Sequence, residues 1–146
     1  MRTHVSLESS IFVDTSGWVS LIGEDETFHD EITAIYQEAM RQRCRLITTN
    51  YIVTEVVALL TNRPIVPRQR MIAFVDALKA APHVQIEFVD RAIDDVAWVR
   101  IKERSERDWS LVDASSFILM EQFNVIQALT LDHHFEQAGF IRLPTP

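Results

Sequence analysis

The chain has 146 residues, 47% of them apolar, and one cysteine, Cys44. This length is typical of one domain with its own core, a single cysteine excludes an internal disulfide, and no segment is apolar over a length that could span a membrane. The net charge of −7 does not favour nucleic-acid binding through the protein's overall field.

Strand and helix signals alternate along the chain. Short apolar or alternating runs bounded by turn residues predict strands, and apolar residues at helical spacing predict helices. In chain order, the predicted elements are a strand at 11–14, helices at 15–22 and 27–43, a strand at 46–49, helices at 51–62 and 67–81, a strand at 84–89, helices at 90–101 and 110–123, a strand at 125–131, a short helix at 132–139 and a candidate edge strand at 140–143.

Several helix ends carry residues with known end preferences. The spacing of Thr27 and Asp30 resembles a capping pair, and Pro67 is suited to a first helical turn. Asp90 and Ser110 are predicted N-caps, and Gly139 is a predicted C-terminal stop. Together these residues divide the chain into short, separate elements.

This alternation predicts an α/β fold with a central, mainly parallel sheet covered by helices on both faces. No linker or repeat interrupts residues 11–146, so we expect one domain there. Residues 1–10 lack the apolar stretch of a signal peptide. They are interpreted as a short loose extension or as the result of a start site assigned too far upstream. We expect a cytoplasmic protein.

Three candidate site acids also have an ordinary structural interpretation. Asp14 ends the first predicted strand and Asp132 follows the fourth. Ligands of such folds bind at these strand ends, but aspartate is also a common helix N-cap there. Asp113 stands three residues after Ser110, which is the spacing of a capping box. The small residues Ala114-Ser-Ser116 that follow Asp113 would let a ligand approach the helix closely.

The fourth candidate acid is Glu55, in a helix so apolar that we expect it to be buried on nearly every side. A buried carboxylate needs a partner, either an arginine such as Arg45 or Arg63 or a metal ion. Four carboxylates at one place would form an oxygen-only site suited to Mg²⁺ or Mn²⁺ and completed by a substrate phosphate.

Histidines, tryptophans and arginines give weaker signals. Adjacent histidines rarely chelate one ion, so His133 is predicted at the surface and His134 as a packing or hydrogen-bonding residue rather than as zinc ligands. Trp18 and Trp109 are candidates for stacking on a base, although core packing is the simpler interpretation. Ten of the fourteen basic residues fall in three short stretches, which solvated helix ends also explain. The candidate RNA-binding residues among them are Arg41, Arg43, Arg45, Arg68, Arg70, Arg104 and Arg107.

Taken in order, four segments resemble the PIN domain, and more narrowly the VapC-type toxin of bacterial toxin–antitoxin pairs. The resemblance covers residues 11 to 143, and its first and third segments are the most distinctive. The stretch before residue 11 departs from the family, whose members usually start at the first strand. The matching segments are Phe12-Val-Asp-Thr-Ser-Gly-Trp18, Thr54-Glu-Val56, Asp108-Trp-Ser-Leu-Val-Asp-Ala-Ser-Ser-Phe117, and Ala128-Leu-Thr-Leu-Asp-His-His-Phe135 with Gly139-Phe140.

The resemblance implies a three-layer α/β/α fold and RNA cleavage that depends on Mg²⁺ or Mn²⁺. It also implies homodimers and inhibition by a small antitoxin. Asp14 and Asp113 carry over as the main metal ligands, with Glu55 and Asp132 as supporting catalytic ligands. The hydroxyl groups that would hold these ligands in place belong to Thr15, Ser16 and Thr130.

The implied reaction is attack by activated water, which leaves a 3′-hydroxyl and a 5′-phosphate. Three other functions stay open. One is an RNA-processing nuclease that is not a toxin, and another is a non-catalytic RNA- or protein-binding module on the same fold. The third is a small-molecule phosphatase, which the absence of an Asp-x-Asp motif at Asp14 disfavours.

Overall fold

The computed structural model describes residues 6–145, and within them seven helices and five strands. None of these helices is long and apolar enough to cross a membrane. The strands are β1 (Ser10–Val13), β2 (Arg45–Thr49), β3 (Val84–Glu87), β4 (Gln127–Leu129) and β5 (Ile141–Leu143). The helices are α1 (Thr15–Ile22), α2 (His29–Arg41), α3 (Asn50–Asn62), α4 (Arg68–Ala80), α5 (Arg91–Glu103), α6 (Leu111–Phe123) and α7 (His134–Gln137).

All five strands run parallel in the order β3-β2-β1-β4-β5, which confirms the predicted α/β class and the edge position of the last strand. In the centre, β1 pairs on one side with β2 and on the other with β4, so that Phe12 lies opposite both Ile47 and Ala128. The strand order reverses between β1 and β4. Ligands of open parallel sheets bind in the crevice outside the strand ends at such a reversal.

The helices form two packing groups, as the predicted three-layer arrangement requires. Helix α1 contacts α2 and α3, and α3 contacts α4, whereas α5 packs along α6. The largest side chains of the core, Phe12, Trp18, Phe117 and Phe135, are fully buried. The central strand β1 is apolar and buried from Ile11 to Val13, as expected for a parallel strand covered on both faces, whereas β3 at the edge of the sheet alternates apolar and polar residues.

Two glycines are required by their surroundings. A Cβ at Gly17 would lie 2.5 Å from the carbonyl oxygen of Leu129, so only glycine lets the first turn of α1 approach β4 this closely. Gly139 has a φ of +95° and follows α7, in agreement with the predicted helix end. That helix is shorter than predicted, because it begins at His134 rather than at Asp132.

Three predicted boundaries are wrong for identifiable reasons. Strand β4 is shorter at its carboxyl end because the Leu131 N–H donates to Ser16 Oγ at 2.9 Å. Strand β3 ends before Val89, whose N–H donates to Asn50 Oδ1 at 2.6 Å. The predicted capping pair before α2 does not form, since Phe28 occupies the N-cap without a side-chain hydrogen bond.

The predicted N-terminal extension is partly held in place. Residues 1–5 of that extension lie outside the described residues. Within the rest, β1 begins at Ser10, one residue earlier than predicted. The Gln127 side-chain amide donates to Ser6 O at 2.8 Å and accepts from the Glu8 N–H at 2.7 Å, so this stretch is not loose.

Candidate active site

Asp14 joins the central strand β1 to α1. It occupies the N-cap position of α1 but makes no side-chain capping hydrogen bond, and the residue is only 4% exposed. Its Oδ2 instead accepts a hydrogen bond from Thr130 Oγ1 at 2.9 Å. The helix-cap interpretation of Asp14 therefore does not describe what its side chain does.

The pKa of Asp14 is shifted by its burial and by two of the other candidate acids. Burial raises the pKa of Asp14 from 3.8 to about 7, because desolvation penalises the charged form. The Thr15 backbone N–H and the Thr130 hydroxyl oppose this rise, whereas the charges of Asp113 and Glu55 add to it. The charges of Glu55 on α3 and Asp113 on α6 thus act on Asp14, although the three residues are distant in sequence.

Asp113 combines the predicted cap with a second contact. Its Oδ2 accepts from the Ser110 N–H at 3.0 Å, and the Ser110 hydroxyl accepts from the Asp113 N–H at 3.0 Å, which completes the predicted capping box. The same Oδ2 lies 3.0 Å from His134 Nδ1. These contacts leave Oδ1 of Asp113 without a hydrogen-bond partner among residues 6–145.

Hydroxyl groups connect Asp14 to the loop that follows β4. Thr130 Oγ1 donates to Asp14 and accepts from the Asp132 N–H at 3.0 Å. Ser16 Oγ lies 3.2 Å from Thr130 Oγ1 and accepts from the Leu131 N–H. With Asp14 ionised, Thr130 directs its only hydroxyl hydrogen at Asp14, so Ser16 is the donor to Thr130.

His134 was predicted to pack or to form hydrogen bonds, and it forms hydrogen bonds that connect Asp132 to Asp113, two partners that the sequence did not predict. Asp132 Oδ1 accepts from the His134 N–H at 2.9 Å and lies 3.2 Å from Nδ1 of the same residue. The ligand atoms of Asp132, His133 and His134 lie within 4.8 Å of one another, but His134 Nδ1 is also engaged with Asp113. The available signal was the position of His134 two residues after a candidate ligand.

Glu55 lies on α3, half-buried rather than fully buried. The expectation that α3 is buried on nearly every side is wrong, because only Ile52, Val56 and Leu60 of this helix are buried. Neither predicted arginine partner is observed. Arg63 pairs with Glu26, and Arg45 begins β2 at the opposite end of the sheet.

The charge balance around the four acids suits a cation. No lysine or arginine nitrogen of the described chain lies within 4.0 Å of Asp14, Glu55, Asp113 or Asp132, and only imidazole groups do. Thr15 directly follows Asp14 in the chain, and its Oγ1 is buried without a hydrogen-bond partner among residues 6–145. An oxygen-rich donor set with an unsatisfied hydroxyl fits Mg²⁺ or Mn²⁺ better than a soft metal.

The two candidate stacking residues are unavailable to RNA. Trp18 is fully buried and donates from Nε1 to Thr48 Oγ1 at 3.1 Å. Trp109 is 8% exposed and packs edge-on against Phe117, with ring centroids 5.1 Å apart. Packing in the core is therefore the correct interpretation for both.

The candidate RNA-binding arginines do not form one cluster. Arg41, Arg43 and Arg45 span the end of α2 and the start of β2, away from the acids. In α4, Arg70 pairs with Glu24 and Arg68 donates to Thr61. In the turn between α5 and α6, Arg104 lies 5.5 Å from the Trp109 ring centroid and pairs with Glu106, and Arg107 Nε is buried without a partner.

Comparisons of the sequence and of the fold with known proteins give three similar results. A sequence model of the family described as "PIN domain" matches residues 11–141. The 23S rRNA-specific endonuclease VapC20, from two strains of Mycobacterium tuberculosis, is 28% identical over 133 residues, which are 91% of this chain and 97% of that protein. The crystal structure of Mycobacterium tuberculosis VapC20, described as a sarcin–ricin loop cleaving toxin, is similar with a TM-score of 0.81 and 28% identity over 90% of this chain and 96% of that chain.

Proposed function

This chain belongs to the PIN domain family, and from that premise we propose that it is a metal-dependent endoribonuclease, the toxin of a toxin–antitoxin pair. The observation that carries the proposal is the proximity of Asp113 and Glu55 to the buried Asp14, with no lysine or arginine nitrogen among residues 6–145 within 4.0 Å of these three acids. Buried like charges are costly, so an arrangement that gathers them favours a bound cation.

In this proposal, Asp14 and Asp113 are the main ligands of Mg²⁺ or Mn²⁺, and Glu55 and Asp132 are supporting ligands. The chemistry that such a cation supplies is activation of water as the nucleophile and compensation of negative charge on the scissile phosphate. Thr15 contributes the unsatisfied hydroxyl next to Asp14.

The chain's own residues prepare the site for this reaction. The Thr130 hydroxyl fixes the direction of Asp14 Oδ2, and Ser16 holds Thr130 in turn. Above about pH 7, Asp14 is ionised even without a bound cation. No histidine is needed as a general base, which agrees with the engagement of His134 Nδ1 by carboxylates. In-line attack by water leaves a 3′-hydroxyl and a 5′-phosphate.

The relatives suggest the substrate class and the partners. Since VapC20 is named for its action on 23S rRNA, a structured ribosomal RNA is the first substrate to test for this chain. As a toxin, the chain would be bound by a small antitoxin protein, would act in the cytoplasm and would form homodimers.

The test is cleavage of purified 23S rRNA and of an isolated sarcin–ricin loop RNA with Mg²⁺, with Mn²⁺ and with excess chelator. We expect fragments with 5′-phosphate ends from the wild type with metal, and none from Asp14→Asn or with chelator. Asp30→Asn is the matched control, because Asp30 is an exposed aspartate on α2. A cyclic phosphate product would exclude the proposed chemistry, and absence of cleavage would favour a binding module.

A further inference from the structure

We propose that His134 is a positioning residue that sets the spacing between Asp113 and Asp132. Its Nδ1 lies 3.0 Å from Asp113 Oδ2 and 3.2 Å from Asp132 Oδ1. Carboxylates accept hydrogen bonds, so Nδ1 carries a hydrogen and donates it to Asp113, whereas Asp132 Oδ1 is bound by the His134 backbone N–H and only lies near Nδ1. The inference deepens the proposed function and depends on it, since the spacing matters only if both acids bind one cation.

The imidazole ring is held firmly enough to position its partners. The next residue, Phe135, is fully buried, with its ring centroid 5.0 Å from that of Phe117 and 6.3 Å from that of Phe12. The His134 side chain is 16% exposed, and its backbone N–H also binds Asp132 Oδ1. A side chain that is attached to the core in this way has little freedom to move.

The two acids depend on His134 to different degrees. Asp113 has a second anchor, because the Ser110 N–H binds the same Oδ2. The Asp132 side chain is 32% exposed and has contacts in the described chain only with His134 and, at 3.7 Å, with His133. Loss of the Nδ1 donor should therefore detach Asp113 from α7 while the backbone N–H still binds Asp132. This alters the spacing of the two acids and weakens metal binding, but it leaves α6 and its capping box intact.

A pair of amide variants isolates the Nδ1 hydrogen bond. In His134→Asn the side-chain amide can occupy the place of Nδ1, whereas in His134→Gln it reaches towards the place of Nε2. We expect Mn²⁺ affinity, measured by titration calorimetry, to fall about 10-fold or more in His134→Gln and His134→Leu. His134→Asn should restore it to within about threefold of the wild type.

Controls separate this role from a purely structural one. His133→Gln changes the exposed neighbour and should keep wild-type Mn²⁺ affinity. The melting temperatures in chelator should be similar for the Asn and Gln variants, so stability does not explain their difference. If His134→Leu does not fold, the Asn and Gln pair still decides. Equal Mn²⁺ affinity in the Asn and Gln variants would overturn the inference.

The same experiment distinguishes failure of this inference from failure of the proposed function. A wild type that binds Mn²⁺ and cleaves RNA, together with a His134→Gln variant that does both equally well, contradicts only the role of His134. A wild type that binds no Mn²⁺ and cleaves no RNA contradicts both. Loss of affinity in His134→Gln with rescue in His134→Asn supports both.

Discussion

The two ends of the parallel sheet carry side chains of opposite charge, and these side chains differ in whether other residues bind them. At the carboxyl ends of β1 and β4, Asp14 and the Asp132 backbone share the Thr130 hydroxyl. At the amino ends, Arg43 and Arg45 line a cavity of about 460 Å³, and neither forms an ion pair within residues 6–145. Hydrogen bonds that fix the direction of charged side chains, more than local charge alone, therefore distinguish the candidate active site from the basic cavity.

Asp113→Asn is the substitution expected to affect the acidic end most. RNA cleavage should fall by roughly 1,000-fold, because a cation in such a site contributes several kcal/mol to transition-state stabilisation. The fold should persist, since the asparagine carbonyl can still accept from the Ser110 N–H. The measurement is single-turnover cleavage of 23S rRNA beside a thermal scan in chelator.

Asp90→Asn provides the control for capping alone. Asp90 is an exposed N-cap of α5 that accepts from the Ile93 N–H at 3.0 Å and does not touch the candidate site. Its Asn variant should cleave RNA at the wild-type rate. If Asp113→Asn behaves in the same way, Asp113 is only a cap and the acidic end loses one of its main ligands.

The pH dependence of stability tests the burial of Asp14. Its pKa of about 7 in the folded, metal-free protein exceeds the ordinary value of 3.8, so the folded state holds the proton more tightly than the unfolded state. The resulting contribution to stability is complete below the unfolded pKa and is lost as pH rises through about 7. Its upper bound is on the order of 4 kcal/mol.

The comparison of wild type with Asp14→Asn removes the titration of other groups. In chelator, urea unfolding should show the variant more stable than the wild type at pH 8, with the difference shrinking towards pH 4. Mg²⁺ should stabilise the wild type more at pH 8 than at pH 5, and the variant little at either. A pH-independent difference would mean that Asp14 is not the buried proton-binding group.

The sequence predicted most of the fold because local patterns determine most of it. Helix α1 has the predicted bounds, and the Ser110 capping box begins α6 as expected. Two of the errors occur where a side chain distant in sequence ends an element, as Ser16 does for β4 and Asn50 does for β3. Such contacts leave no periodic signal in either segment.

The sequence predicted which residues are candidates for the site, but not which of them contact one another. Strand ends and helix caps predicted Asp14 and Asp113 as candidates, and the fold brings them into electrostatic contact. Periodicity could not show that α3 has only one buried face, which leaves Glu55 half-buried and paired with neither Arg45 nor Arg63. Nor could it show that His134 joins two acids, since that requires α7 and α6 to meet.

Gly17→Ala tests whether close packing maintains the acidic end. The added methyl group would lie 2.5 Å from the Leu129 carbonyl oxygen, so α1 must move away from β4. We expect about 1–3 kcal/mol of destabilisation in urea unfolding, as for other overpacked sites. Cleavage of RNA should also fall, because the same shift separates Ser16 from Thr130. An unchanged unfolding midpoint would show that the close packing of α1 against β4 does not contribute to stability.

The smallest effect is expected at the amino ends of the strands, from Arg43→Ala and Arg45→Ala. Arg45 begins the five-residue strand β2, so it lies roughly 13 Å from the carboxyl end of that strand. That distance exceeds the Debye length of about 8 Å at physiological salt, so cleavage of a short RNA should change by less than about twofold. Cleavage of a long rRNA that reaches both ends of the sheet should fall more. The ratio of the losses on the long and the short RNA measures how much the basic end contributes to RNA contact. A tenfold loss on the short RNA would instead show that both ends act on the same few nucleotides, and the comparison between them would fail.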